Sequence, residues 1–418
     1  MHEKGAFYIM AGNFATKFVT FFGSVFLARL LSKGDLGILS YMENLCSYAY
    51  LLMGLGMGNA ILRYNIKYED RSVQKGIAGY ALKRGLINDL LLITVVVLVN
   101  AFYPHKGDFV LAKTLLPILI IALPFQDLIN MVLMNERAFF ANKRYAAFSL
   151  GSSFLIVMGR LLGAWKWDLK GVVLAVVLVN MISSLAMSAS SYTKYYSNCK
   201  ATEISGSLKK ESSVYGLQYM ITNGLWGFFM LIDIFLLGNL TENAVAVADY
   251  KIAYSMPANM AIFSSALGIF VASYFIKYEN DKAWVKKNYI RLVKAGILMQ
   301  GAVGIMLYVL AKPLIWMYGT QYYNVIPMMR LLVIGYFIDT ALRFPTANIL
   351  ASIGKIKYNM IISAGGLIME IILDIVLIPR FGGYGIAYAT IIVRSLMAIA
   401  LFIVFNKMYN VVGKSNNI

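Results

Sequence analysis

The 418-residue sequence is 60% hydrophobic and only 14% charged, with a mean hydropathy of +0.68, a balance that excludes an ordinary soluble domain and points to a membrane protein. Thirty-eight Lys and Arg against 20 Asp and Glu give a net charge of +18, which would suggest a polyanion partner if the excess were not concentrated in the loops between apolar stretches. Two cysteines, Cys46 and Cys199, exclude a disulfide framework.

An apolar helix of about 20 residues crosses ~30 Å of hydrocarbon. Twelve stretches of that kind are predicted, at 6–28, 38–62, 85–101, 114–134, 146–164, 171–192, 214–238, 245–276, 295–311, 326–350, 359–378 and 386–405. The third is the weakest, because Lys83, Arg84 and Asp89 interrupt its start. The first begins at Ala6 without a small-residue cleavage site, so it is expected to be retained as a helix. With the amino terminus inside, the segments 1–5, 63–84, 135–145, 193–213, 277–294, 351–358 and 406–418 carry 24 Lys and Arg, and the six outer loops carry 8. This asymmetry predicts both termini in the cytoplasm. Topology and anionic lipid headgroups then account for the basic excess, and no nucleic acid is required.

Along the chain, polar residues line up at helical spacing. In the first span Asn13, Lys17, Thr20 and Ser24 share a face, and in the second Ser40, Glu43, Ser47, Tyr50 and Gly54 do the same. The GLGMG run at 54–58 reads as a close helix contact. Asp127 lies in the fourth span and Arg160 in the fifth. Trp165, Trp167, Trp316, Tyr318, Tyr322 and Tyr323 read as an interfacial belt. The stretch 193–213 has linker composition. The seventh span aligns Gln218, Thr222, Trp226, Phe229 and Asp233, and the eighth carries Asp249 and Lys251. Arg330, Asp339 and Arg343 follow in the tenth; the eleventh aligns Asn359, Ser363, Gly366, Glu370 and Asp374, and the twelfth holds Arg394. Asp339 and Arg343, four apart, are spaced for an internal ion pair. Lys17, eleven residues past Ala6, is too deep to reach either surface easily; it either faces a cavity or pairs with Glu43.

The chain repeats itself at half its length. YNIKYE (64–69) returns as YFIKYE (274–279), FLARLLSKGDLG (26–37) lies opposite FLLGNLTENAVA (235–246), and Asp127 lies opposite Asp339. The shift drifts steadily upward along the chain, which marks a duplication. The expectation is an all-α integral membrane protein of twelve transmembrane helices in two six-helix lobes related by an axis along the membrane normal. Residues 1–192 form the first lobe, 193–213 the cytoplasmic joint and 214–418 the second lobe. Parallel-repeat transporters bind substrate between such halves. Fourteen ionisable residues within or beside the spans, each costing about 2.5–3.5 kcal/mol in lipid, must mostly face a wet interior or one another.

Enzyme chemistry has little support. The GxxxxGK[ST] pattern of a P-loop is absent, the two histidines His2 and His105 lie outside the spans, and no Cys/His cluster has metal-ligand spacing. No metal site and no bound cofactor are expected, apart from H⁺ or Na⁺ as a coupling ion.

FLARLLSKGDLG (26–37) resembles the end of the first helix and the first outer loop of the Wzx-type polysaccharide flippases. LIPRFGGYGIAYAT (377–390) is similar to their turn between the last two helices. These flippases form a branch of the multidrug/oligosaccharidyl-lipid/polysaccharide exporter (MOP) superfamily. The resemblance implies translocation of an undecaprenyl-pyrophosphate-linked oligosaccharide across a bacterial inner membrane for O-antigen or capsule assembly, with a polysaccharide polymerase and chain-length proteins as partners beside membrane lipids. It also implies that Lys17, Glu43, Asp233 and Lys251 look into a cavity between the lobes. With Asn13 and Tyr50 on the same faces and the in-span cations Arg343 and Arg394, these are the candidate substrate-binding residues. Asp127, Asp339, Glu370 and Asp374 are the candidate ion-coupling carboxylates. The main rival is an ion-coupled multidrug antiporter of the same superfamily. A flippase for the peptidoglycan lipid precursor would need two further helices, and a scaffold role is disfavoured by the charge within the spans.

Overall fold

In the computed structural model the backbone is described over residues 2–409, and side chains over 8–409 apart from 222, 223, 225, 226, 229, 263, 266, 267, 269, 270 and 273. The seventh-span residues Thr222, Trp226 and Phe229 therefore lie outside the described side chains, as do residues 410–418 of the terminal segment. The chain is helical throughout, with no strand among the described residues. Apolar side chains in runs of more than 20 residues leave the backbone only one way to satisfy its N–H and C=O groups in hydrocarbon without a closed barrel.

The helices are α1 (His2–Leu30), α2 (Lys33–Tyr50), α3 (Met57–Lys67), α4 (Arg71–Phe102), α5 (Ala112–Leu119), α6 (Leu123–Ala138), α7 (Asn142–Tyr195), α8 (Gly206–Thr241), α9 (Ala244–Ser255), α10 (Ala261–Lys277), α11 (Lys282–Val309), α12 (Ala311–Trp316), α13 (Ile326–Ile338), α14 (Phe344–Ser352), α15 (Ile356–Phe381) and α16 (Gly383–Tyr409). Among the described residues nine helical runs are long and apolar enough to cross a membrane. The run 142–195 holds two of the expected spans, folded back at Trp167 and Asp168, whose dihedrals leave the helical region. With its two arms, and with 206–241 and 244–277, the helical runs agree in place with the twelve spans read from hydropathy.

Differences from the expected boundaries have local causes. The third span is longer than 85–101: α4 begins at Arg71 behind an Asp70 N-cap whose carboxylate accepts from Ser72 N–H. Its polar first turns lack the hydropathy signal but not helical propensity. The aromatic belt is only partly exposed: Trp165, Trp167 and Trp316 are open, whereas Tyr318 and Tyr322 are fully buried, with the Tyr318 hydroxyl 3.1 Å from Ser255 Oγ.

The chain divides into two units, residues 1–235 with 242–244, and residues 236–241 with 245–418. The segment 193–213 is mostly helical rather than a free joint, since α7 runs to Tyr195 and α8 starts at Gly206. The ten residues between are fastened to α4. Lys75 donates to the carbonyls of Tyr196 (2.9 Å) and Cys199 (2.7 Å), and Thr202 N–H donates to Ser72 O. Ile204 and Leu208 join Met57, Ile61, Tyr64, Ile77 and Met131 in one apolar cluster of the first unit. In the second unit the largest described cluster packs α11, α14 and α16 around Tyr289, Leu350 and Phe405, with the Tyr289 and Phe405 ring centroids 3.8 Å apart.

Candidate functional site

In the first unit the polar groups converge on a break in the second span. Between α2 and α3 the residues Gly54, Leu55 and Gly56 all take left-handed backbone conformations, with φ of +58°, +49° and +69°. The GLGMG run is therefore an interruption of the helix, not merely a close contact. Such a break orphans backbone groups that cannot remain unpaired in a membrane interior. Two consecutive residues of α4 satisfy them: Asn88 donates to Leu52 O at 2.9 Å, and Asp89 accepts from Gly54 N–H at 2.8 Å.

Asp89 is completely buried and Asp127, from α6, is 3% exposed. Both lie against the break: Asp89 through the Gly54 N–H it accepts from, and Asp127 with its carboxylate oxygens where a Cβ on Gly54 would sit. Two buried acids so placed put ionisable groups where the backbone ladder is already interrupted.

Nearer the start of the chain, Glu43 forms an ion pair with Arg160 of α7; both side chains are about one quarter exposed, at 29% and 26%. The alternative pairing of Glu43 with Lys17 is not formed. Tyr50 lies within electrostatic range of this pair. Asp233 of α8 lies beside Tyr48, whose ring packs edge-on against Phe228, and Asn44 donates to Leu231 O at 2.9 Å. Asn13 accepts from the Tyr145 hydroxyl at 3.4 Å. Lys17 is exposed on α1 and has no ion-pair partner among the described residues.

The second unit holds the other half of the candidate set. Asp339 to Arg343 forms a π-helical turn between α13 and α14. Within it Asp339 and Arg343 form the expected four-residue ion pair, one arm being Nη2 to Oδ2 at 3.2 Å. Arg394 of α16 lies 3.7 Å from both Asp339 and Glu370. All four are buried, as is Asp374 one turn after Glu370 on α15. The widened turn is held by Ser264, which donates to Thr340 O at 2.8 Å and accepts from Gln300 at 2.6 Å. Lys251, on α9, is half-buried. The structure thus brings Arg343, Arg394, Asp339 and Glu370 into one network and leaves Lys251 on a different helix. Asp127 and Asp339, expected as equivalents, have opposite surroundings: a second carboxyl for one, two guanidiniums for the other. Among the described residues no group of three or more His, Cys, Asp or Glu is arranged to hold a metal ion.

Sequence reasoning missed the partners more than the residues. Asp89 was visible as an interruption of a weak span, and Arg160 as an in-span cation. Their contacts, 38 residues away at Asp127 and 117 residues away at Glu43, carry no local signal.

A family model described as polysaccharide biosynthesis protein matches residues 3–275, well over half of the chain. Among curated proteins nothing matches. Several solved structures share the fold. An inward-facing multidrug resistance transporter of the MATE family in the MOP superfamily aligns at a TM-score of 0.72 and 15% identity, covering 96% of each chain. An outward-facing MATE transporter aligns at 0.62 and 15% identity over 98% of this chain and 95% of its own. A MOP superfamily transporter from Pyrococcus furiosus Vc1 (DSM3638), described by a binding pocket of reversed polarity, aligns at 0.62 and 16% identity with the same coverage. At this identity the likeness establishes the fold alone, an all-helical multi-pass membrane architecture. The chain belongs to the polysaccharide biosynthesis protein family and shares its helical fold with these solved structures.

Proposed function

We propose that this protein moves an undecaprenyl-pyrophosphate-linked oligosaccharide repeat unit from the cytoplasmic to the periplasmic leaflet of a bacterial inner membrane, by alternating access of two lobes, for O-antigen or capsule assembly. The observation that carries the reading is Lys17. It is an exposed ammonium on α1, about 14 Å along the helix from Tyr8 and 20 Å from Leu30, without an acidic partner among the described residues. A lone cation at that depth cannot rest against lipid tails; it needs water or an anion. A pyrophosphate needs the reverse, because its charges cannot shed hydration into hydrocarbon. The family match supports the substrate class.

In this reading Lys17, Asn13 and Lys251 attract the pyrophosphate and first sugars, and Glu43, Tyr50 and Asp233 hydrogen-bond sugar hydroxyls. Arg343 and Arg394 pair with Asp339 and Glu370, and these acids with Asp374 and Asp127 are the candidates for ion coupling, Asp89 acting beside Asp127. Both termini lie in the cytoplasm, and a polymerase with its chain-length proteins consumes the product. Surface polysaccharide tests it. Lys17→Ala should abolish export at unchanged membrane abundance, and Lys17→Arg should retain it; full export by Lys17→Ala removes Lys17 from the site.

A second reading, an ion-coupled multidrug antiporter, draws on the Asp89–Asp127 pair, since a buried carboxyl that gives up its proton can take a cationic drug in exchange. Deletion separates the two: loss of long-chain surface polysaccharide supports the first, altered dye accumulation the second.

A further inference from the structure

At the end of the first unit that carries the basic segments 63–84 and 193–213, two cavities share a wall. One, of about 580 Å³, is lined by Lys83, Arg84 and Lys209, with Glu203 as its acid. The other, of about 310 Å³, is lined by Ile61, Leu82, Leu128, Met131 and Val132. Lys75, Gly79 and Ala201 belong to both, so the two form one cleft with a basic end and an apolar end.

The cations are not equally free. Lys75 is committed to the 196–199 carbonyls, and Lys209 pairs with Glu203 at 3.2 Å. Lys83 and Arg84 are exposed and have no acidic partner among the described residues. They also sit at a boundary on α4. Immediately beyond them the exposed face becomes Leu86, Ile87, Leu90 and Leu91, an apolar run of the kind that faces lipid tails. Two uncommitted cations at the polar edge of an apolar stripe, opening onto an apolar chamber, match the layout of one amphiphile: an anionic head joined to a hydrocarbon chain.

We propose that this cleft binds an anionic glycerophospholipid, with its phosphate between Lys83 and Arg84 and an acyl chain in the Ile61–Leu128–Val132 chamber. The charge complementarity selects the head, because basic side chains at the membrane surface attract a net-anionic lipid more strongly than a zwitterionic one, whose own ammonium offsets its phosphate. Gly79 is exposed and borders both cavities. A Cβ there meets nothing within 4 Å, so a larger side chain enters the cleft without touching the backbone around it. The proposal is independent of which substrate the protein transports.

Native mass spectrometry of the purified full chain tests it, with dioleoyl-phosphatidylglycerol, dioleoyl-phosphatidylcholine, inorganic phosphate and undecaprenyl phosphate as probes. Phosphatidylglycerol should be retained over phosphatidylcholine. The double variant Lys83→Ala/Arg84→Ala should weaken that retention by about 30-fold, from roughly fivefold per basic side chain, and the exchange Lys83→Arg/Arg84→Lys should preserve it. Gly79→Leu should lose the lipid while melting no lower than the parent. Equal retention of the two phospholipids, or undiminished binding by the double variant, overturns the proposal. Saturation by inorganic phosphate alone would make the cleft a free-anion site, and displacement at lower concentration by undecaprenyl phosphate would make it a substrate vestibule; either result also overturns it.

Discussion

Replacing Gly54 by alanine tests the link between the helix break and the acid pair. Gly54 has a φ of +58°, and an added Cβ would overlap both carboxylate oxygens of Asp127. A non-glycine residue in the left-handed region costs about 1–2 kcal/mol. Displacing the buried Asp127 carboxylate from its place at the break costs about 1–3 kcal/mol more. The expected destabilisation of about 2–5 kcal/mol is a large share of a typical total of roughly 5–15 kcal/mol. With an unfolding entropy of roughly 2 cal/mol/K per residue spread over 418 residues, Tm should fall by about 2–6 °C. Thermal unfolding of the purified protein in detergent, followed by tryptophan fluorescence, measures it. Because the steric conflict is with one side chain, adding Asp127→Ala should recover part of the loss, so the double variant melts above the additive expectation. A Gly54→Ala protein within about 1 °C of the parent, or strict additivity, would refute the reasoning.

Asp127→Asn keeps the size and shape of the side chain at the break while removing its ionisable group, so folding and abundance should hold, while the pH-gradient dependence of transport in proteoliposomes should flatten. Arg394→Ala strips the guanidinium shared by Asp339 and Glu370; breaking a buried ion network this way costs about 3–5 kcal/mol. The folded yield should drop sharply, with partial recovery when Glu370→Gln is added. His105, in the loop between α4 and the following turn, hydrogen-bonds Asn100 through Nε2 at 2.8 Å and lies beside Tyr103. Burial, with Lys113 nearby, holds its imidazole below the ordinary value of 6.5. The unfolded chain therefore binds the proton first, so this contribution to stability is complete above about pH 6.5 and is lost as pH falls through that value toward the folded one. Tm of the parent should decline between roughly pH 7.5 and 5.5, and His105→Gln should lessen the decline.

The membrane class and the places of the helices were readable because hydrocarbon imposes a length and an apolar composition on every crossing. Polar residues within spans were readable as special for the same reason. Pairings were readable only where a periodicity fixes them. Asp339 with Arg343 follows from spacing, whereas Glu370 with Arg394 was not foreseen although the two lie on consecutive helices. Asp89 with Asp127 and Glu43 with Arg160 depend on which helices pack together, and hydropathy is silent on that. The GLGMG break was hidden for another reason. A glycine run suits a close helix contact and a left-handed turn equally well, and the choice is made by Asn88 and Asp89, which supply the missing backbone partners from another helix. Likewise the fastening of 196–205 to α4 depends on Lys75, an unremarkable basic residue until the carbonyls it serves are known.

The α7 reversal at Trp167 and Asp168 has a consequence for what the hairpin tolerates. Gly163 and Gly171 meet backbone to backbone across the reversal, each where the other would need room for a methyl group. The two arms close on each other only with hydrogen at both positions, so even an alanine at either glycine would pry the hairpin open at its tightest point.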